Sequence, residues 1–110
     1  MIIIVDKPAN RNQVKKMLSG FGNYIKVVVD IEKKRLAGGC EFHVDCEKAL
    51  LDSGSNQQDL WGGGVEWEAK RIEFNSLTNI RPSQDNPSQE ILDIKIRKKF
   101  GKIVKRLLGL

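Results

Sequence analysis

The apolar residues of this chain fall into short runs, and the first of these predict strands. Met1–Val5 is β-branched, ends at Asp6, and is too short and wrongly flanked for a membrane span or a signal peptide, so we predict a first strand. The run Tyr24–Ile31 is almost continuously apolar, which is typical of a central strand buried on both faces. Residues 32–34 then favour a tight turn, and residues 35–44 would return as the hairpin partner.

Helical spacing and capping residues predict two short helices. Asn10 followed by Gln13 has the form of a capping box, which begins the first helix. In the segment Asp45–Ser53 the apolar residues recur at helical spacing, with Asp45 as the N-cap. Gly54 is the expected stop for this second helix.

The middle of the chain alternates apolar and polar residues, as strands with one wet face do. Residues 65–67 and 72–74 predict two short strands joined by a turn. Residues 62–64 are three glycines, which we expect to break the chain before these strands. We expect residues 77–81 to add a further strand and residues 82–88, rich in turn formers, to be a loop.

The last element has the clearest pattern, a helix over Ile94–Leu108 with Asp93 as N-cap and Gly109 at its end. One side is apolar and the opposite side is cationic, through Lys95, Lys98, Lys99, Lys102, Lys105 and Arg106. The seven cations that follow Asp93 exceed the net charge of +5, so the remainder of the chain is slightly acidic. An anionic partner would therefore meet this helix. No aromatic residue interleaves with the lysines, so the pattern indicates weak, non-specific anion binding only.

Together these elements predict a single α+β domain over residues 1–110, with a mostly antiparallel sheet of five or six strands. The N-terminal and C-terminal helices would pack on one face of it. A hydrophobic fraction of 40% and a charged fraction of 30% are ordinary for a globular protein, and the cytoplasm is the expected location. A barrel-like closure is the alternative, since the glycines at 62–64 would permit it. The pair Gly38–Gly39 inside a strand pattern indicates a bulge, with positive φ at one glycine.

Titratable residues concentrate at the corner between strand and helix formed by residues 38–47. Glu41, His43 and Asp45 would share one face of the predicted strand, where they could bind a hard metal or act as a general acid and base. A solvent-facing polar stripe explains the same pattern. The candidate pocket comprises Glu41, His43, Asp45, Glu47, Trp61, Arg81 and Asn86.

The two cysteines flank the only histidine as Cys40-x-x-His43-x-x-Cys46, and all three residue types ligate zinc. Residues three apart on a strand face opposite ways, and no fourth ligand is evident, so we expect neither a metal nor a cofactor. If the segment were extended, the two sulfurs would lie roughly 20 Å apart. We therefore predict two reduced thiols.

Several segments along the chain resemble the signature of a small prokaryotic family known only as a domain of unknown function. They are Ile31-Glu32, Leu36-Ala-Gly-Gly39, Glu41-x-His43-x-Asp45-Cys-Glu47, Leu60-Trp-Gly-Gly-Gly64, Asn79-Ile-Arg-Pro82, Asn86 and Ser88. The resemblance implies a small standalone protein and brings no activity, cofactor or partner with it. The family pattern often has a third glycine where Cys40 stands, which weakens the zinc hypothesis further.

Two classes of function remain open. The leading hypothesis is a soluble, non-enzymatic binding module for a small ligand or a protein partner, with a homodimer as one form. The alternative is a small metal-dependent or acid/base enzyme that uses Glu41, His43 and Asp45. An enzyme needs His43 and a carboxylate in one concavity, whereas a binding module needs only an exposed patch.

Overall fold

A computed structural model describes residues 1–110 as a five-stranded sheet with helices on both faces. The strands are β1 (Ile3–Val5), β2 (Tyr24–Asp30), β3 (Arg35–Gly38), β4 (Leu60–Glu66) and β5 (Arg71–Glu73). The helices are α1 (Arg11–Leu18), α2 (His43–Asp52) and α3 (Ile94–Leu108), and short 3-10 turns occupy Gln57–Asp59, Leu77–Asn79 and Pro82–Gln84. The strand order is β1-β3-β2-β4-β5, with every neighbouring pair antiparallel. This confirms the predicted α+β class and antiparallel sheet.

Strand β2 lies at the centre of the sheet, as its apolar run predicted. Val27 and Val29 point into the larger hydrophobic core on one face, and Val28 points into a smaller core on the other. Alternate side chains of a strand face opposite ways, so a strand covered on both sides must be apolar throughout.

Helices α1 and α3 cover the same face of the sheet, which confirms the predicted arrangement of the terminal helices. Met17 of α1 and Phe100 of α3 are fully buried in the larger core. Helix α2 covers the opposite face, where Cys46 and Leu50 complete the smaller core.

The capping residues predicted for α1 and α3 are confirmed. The Asn10 side chain accepts a bond of 2.8 Å from the backbone of Gln13, whose side chain accepts one of 2.9 Å from the backbone of Asn10. Asp93 accepts bonds from two backbone N–H groups in the first turn of α3, and Gly109 ends that helix with φ +73°. These local bonds satisfy groups that the helix leaves unpaired.

The hairpin strand predicted over residues 35–44 is wrong beyond Gly38, and the predicted N-cap Asp45 is wrong as well. Strand β3 ends at Gly38, and Gly39 has φ +92°, which turns the chain out of the sheet and confirms the expected positive φ. A Cβ at Gly39 would lie 2.8 Å from the Met17 Cα, so only glycine fits this close approach. Helix α2 then begins at His43, without a side-chain cap.

Glycines 62–64 do not break the chain but lie inside β4. Neighbouring side chains already occupy the space that a Cβ would take. Ser76 would be 2.6 Å from a Cβ on Gly62, the Phe100 ring 2.6 Å from one on Gly63, and the Tyr24 ring overlaps one on Gly64. Glycine in a strand marks such close approach.

The predicted strand over residues 77–81 is wrong, because Leu77–Asn79 form a 3-10 turn and Arg81 pairs only with Asn86. The Asn79 side chain bonds both the N–H and the carbonyl of Gly62, at 2.8 and 2.9 Å. An asparagine side chain thus replaces a neighbouring strand along this part of the β4 edge.

Cys40 and Cys46 form a disulfide, so the prediction of two separate reduced thiols is wrong. The glycine turn and the first turn of α2 fold the segment back on itself, and the two Cα atoms lie 5.7 Å apart. That spacing is ordinary for a disulfide. No helix of the structure has the length and apolarity that crossing a membrane requires.

Candidate functional site

His43 is the first residue of α2 and fastens this helix to the sheet. Its Nε2 lies 2.7 Å from the carbonyl oxygen of Gly63 in β4. A carbonyl only accepts, so Nε2 is the donor, and this bond selects the tautomer of the neutral ring that carries its proton on Nε2. Burial lowers the pKa of His43, the bond to Gly63 opposes this, and nearby Lys26 lowers it further.

Glu41 and Asp45 do not share a face with His43. Both acids are exposed, one in the turn after β3 and one on α2. The shared strand face predicted for Glu41, His43 and Asp45 is wrong, because the strand has already ended at Gly38. No group of three His, Cys, Asp or Glu residues is placed to hold a metal ion. The acid/base and metal-dependent alternative therefore has no geometric support.

Glu47, Trp61 and Arg81 do come together, around the Arg81 guanidinium. It lies 3.4 Å from a Glu47 carboxylate oxygen and 4.9 Å from the centre of the Trp61 ring, and it donates to the carbonyl of Gln57 at 2.9 Å. Its Nε donates to the carbonyl of Thr78 at 3.0 Å. Burial lowers the pKa of Arg81, and the Glu47 carboxylate opposes this. These bonds turn the cation inward and connect α2 to the 3-10 turns at Gln57–Asp59 and Leu77–Asn79.

Asn86 is almost fully buried and organises the loop that follows Arg81. Its amide nitrogen donates to the carbonyls of Asn79 and Glu90 at 2.8 and 2.9 Å, and its oxygen accepts from the N–H of Leu92 at 2.9 Å. Backbone hydrogen bonds pair Asn86 with Arg81 as an isolated antiparallel bridge. This bridge joins Asn86 to the cluster around the Arg81 guanidinium. Of the seven candidate pocket residues, four thus form one internally bonded structure, while Glu41, His43 and Asp45 make no side-chain hydrogen bond to it.

A cleft of about 680 Å³ opens between α3 and the region of β5. We call it the first cleft; its lining comprises Lys70, Ile72, Phe74, Ile94, Arg97, Lys98, Gly101, Lys102 and Lys105. Five of these residues are cationic and none is acidic. The result is a concave site with an apolar floor and a positive rim.

Aromatic rings support two of the cations around the first cleft. The Arg97 guanidinium carbon lies 4.2 Å from the Phe74 ring centre, and Lys70 Nζ lies 3.8 Å from the Trp67 ring centre. Phe74 in turn contacts Phe100 of the core, with ring centres 5.5 Å apart. The floor of the cleft is therefore continuous with the core and fixed in position.

A second cleft, of about 580 Å³, lies on the other side of α3. Its lining comprises Ile31, Glu32, Lys34, Lys99, Lys102, Ile103 and Arg106. Lys102 borders both clefts, so α3 forms a positive ridge between two concavities. Lys95 is exposed and lines neither. Sequence reasoning found the α3 cations but missed Lys70, Lys34 and Phe74, which other elements bring to the same surface.

A family model described as "Protein of unknown function (DUF5674)" matches residues 3–107, and the chain belongs to this family. Neither a curated protein nor a solved structure matches the chain. The family description names no activity.

Proposed function

We propose that this DUF5674 protein is a non-catalytic binding module that takes an anionic partner on the outward surface of α3. We call this surface the α3 surface; it comprises Lys95, Lys98, Lys99, Lys102, Lys105 and Arg106 with the two clefts beside them. The observation that carries the proposal is the first cleft, whose lining holds five cations and no acid. Arg97 pairs with Glu90 just outside this lining, at 3.5 Å, whereas the four lysines have no acidic partner. Like charges repel, so four unpaired lysines beside one another do not help the chain to fold, whereas they attract anions.

The buried polar groups elsewhere support this choice of surface. Arg81 is bonded to Glu47 and to backbone carbonyls, and His43 is bonded to Gly63. A group that already has its partners within the fold gains little from a ligand. The ammonium groups of the α3 lysines form no ion pair in the fold and therefore remain available to a ligand.

A pair of charge-matched triple variants tests the proposal. Replacing Lys98, Lys102 and Lys105 with Gln removes three charges from the first cleft. The control replaces Lys15, Lys16 and Lys48 with Gln, which removes three exposed charges that line neither cleft. We expect the wild type to be retained on heparin at low salt, the α3 variant to elute without retention, and the control to resemble the wild type. Equal loss in both variants would show that net charge alone is responsible.

We also propose a cytoplasmic, prokaryotic setting, as expected from the sequence. A cytoplasmic setting and the bond between Cys40 and Cys46 make opposite demands, because the cytosolic thiol pool keeps most cysteines reduced. Cells quenched with acid and labelled with a thiol reagent test the setting. Two labelled cysteines per chain would support the cytoplasm, and a fully blocked pair would contradict it.

A further inference from the structure

We propose that the partner of the α3 surface is a single-stranded nucleic acid, with one base in the first cleft and its phosphates on the lysines of α3. This inference rests on the proposed function and names the chemical class of the anion. It follows from the floor of the cleft, from a glycine in the middle of α3 and from the spacing of the lysines.

The floor of the first cleft is apolar although its rim is cationic. Ile72, Phe74 and Ile94 line it, and Ile94 is 68% exposed. A purely ionic partner, such as inorganic phosphate or a sulfated sugar, would leave this apolar surface in water. A single-stranded nucleic acid presents flat rings between its phosphates and would cover both parts of the cleft at once.

Gly101 stands in the middle of α3 without a reason in the fold. Glycine is a poor helix former, and nothing in the backbone of α3 calls for positive φ there. A Cβ at this position would meet only the Phe74 ring, at 3.9 and 4.0 Å, which is ordinary contact. The residue does, however, line the first cleft. Its missing side chain leaves helix backbone open to the close approach of a flat ring.

The lysines on the rim follow the axis of the helix. Lys98, Lys102 and Lys105 lie on successive turns and all line the first cleft. A helix rises about 1.5 Å per residue, so neighbouring lysines of this row are separated by about 4.5 to 6 Å along the axis. Phosphates on one strand recur at a comparable spacing, which lets several lysines act on consecutive phosphates.

An anionic membrane fits the same surface less well. A helix that binds in a membrane interface inserts its apolar side. The apolar side of α3 is already buried in the core through Phe100, Val104 and Leu107. Only the lysine charges would then attract an anionic lipid headgroup. The apolar floor of the first cleft is concave, so it would not reach the acyl chains.

Fluorescence anisotropy with a labelled single strand of about 12 nucleotides tests the inference, since sites of this kind cover about 4 to 16 nucleotides. The same sequence as a duplex, and vesicles of phosphatidylserine and phosphatidylcholine, serve as the other partners. We expect the single strand to bind about 10-fold more tightly than the duplex, the size of effect that stacking one base gives.

A variant that blocks the cleft without changing charge separates this inference from simple electrostatics. Gly101→Leu fills the floor, and we expect it to weaken single-strand binding about 10-fold while heparin retention is unchanged. Asn12→Leu adds the same side chain on the exposed surface of α1 and should have no effect on either. Ile94→Ser is a second probe, because Ile94 is exposed and its loss should not affect folding.

The outcomes separate the two proposals. No retention of the wild type on heparin and no binding of any oligonucleotide would overturn the proposed function. Retention on heparin together with equal binding of duplex and single strand, or tighter binding to vesicles, would overturn only the present inference. Single-strand binding that neither Gly101→Leu nor Ile94→Ser weakens would also overturn it.

Discussion

Gly63 decides, at the scale of single residues, how closely α3 can approach the sheet. A Cβ there would lie 2.6 Å from the Phe100 ring and against the carbonyl of Glu73. Gly101 differs, since a Cβ on it would make only ordinary contact with the Phe74 ring. Packing therefore requires glycine at position 63, whereas it does not require glycine at position 101.

Alanine substitutions at these two positions should consequently have opposite effects on stability. Gly63→Ala forces a methyl group into a filled space and should destabilise the protein by about 1 to 3 kcal/mol. Gly101→Ala improves helix propensity and should stabilise it by up to about 1 kcal/mol. Thermal or denaturant unfolding of both variants measures this directly. A stable Gly63→Ala protein would show that Phe100 and β5 can move apart without cost.

The disulfide between Cys40 and Cys46 closes a short loop, since the two cysteines are separated by six positions in the sequence. Chain-entropy arguments give about 2 kcal/mol for a loop of this size. We therefore expect reduction, or the double substitution of both cysteines by Ser, to lower the unfolding free energy by about that amount and leave the fold intact. Loss of cooperative unfolding after reduction would contradict this expectation.

The disulfide also shows why some residue contacts escape a sequence argument. The expectation of separate thiols assumed that residues 40–46 were extended. Gly39, at φ +92°, turns the chain before Cys40, and α2 begins three residues later than Cys40, at His43. Gly38–Gly39 did signal an irregular backbone, but the direction of the turn depends on Met17, which lies on another element.

At the scale of elements, local signals made α3 predictable from end to end. Its N-cap Asp93, its apolar periodicity and its terminal Gly109 are all encoded within the element itself. Strand β2 was predictable for the same reason. The turn at Leu77–Asn79 was not, because its conformation depends on bonds from the Asn79 side chain to Gly62 of a distant strand.

Helix α2 depends on a titratable contact, which makes its docking sensitive to pH. Burial lowers the pKa of His43 below its ordinary 6.5, although the bond from its ring to the carbonyl of Gly63 partly opposes this. The unfolded chain therefore takes up the proton at higher pH than the folded one. The stabilising effect is complete above the ordinary pKa and is lost as the pH falls from there to the lowered folded value.

Unfolding free energies measured in steps from pH 7.5 to pH 5 test this contribution, a range in which histidine is the ordinary titrating group at about pH 6.5. The wild type should lose stability over that range. His43→Gln removes the only histidine, so its stability should change less. An equal pH dependence in both proteins would exclude His43 as the cause.

Only part of the proposed binding surface could be predicted from the sequence, because at the scale of the whole molecule it combines residues from separate elements. The α3 cations are visible in the sequence as a periodic pattern. Their apolar counterpart, Ile72 and Phe74, lies more than twenty positions earlier in the chain and meets them only because β5 is the edge strand beside α3. The aromatic residue that was missing from the sequence pattern is supplied by this tertiary neighbour.

The salt dependence of binding gives a whole-molecule measure of how many of these cations act together. For single strands, the logarithm of the binding constant falls with the logarithm of salt concentration by about 0.7 for each phosphate neutralised. If all five cations of the first cleft contribute, the slope should approach about −3.5. Lys102 borders both clefts, so Lys102→Gln should reduce the steepness of the slope by about 0.7.

Lys48→Gln is the matched control for Lys102→Gln, since it removes the same charge from the exposed side of α2, on the opposite face of the sheet. We expect its slope to equal that of the wild type in anisotropy titrations between about 50 and 200 mM salt. A less steep slope in both variants would mean that binding of the single-stranded nucleic acid responds to net charge. A decrease in Lys102→Gln alone would locate the phosphates on the ridge of α3, because counterions are released only where lysine and phosphate meet.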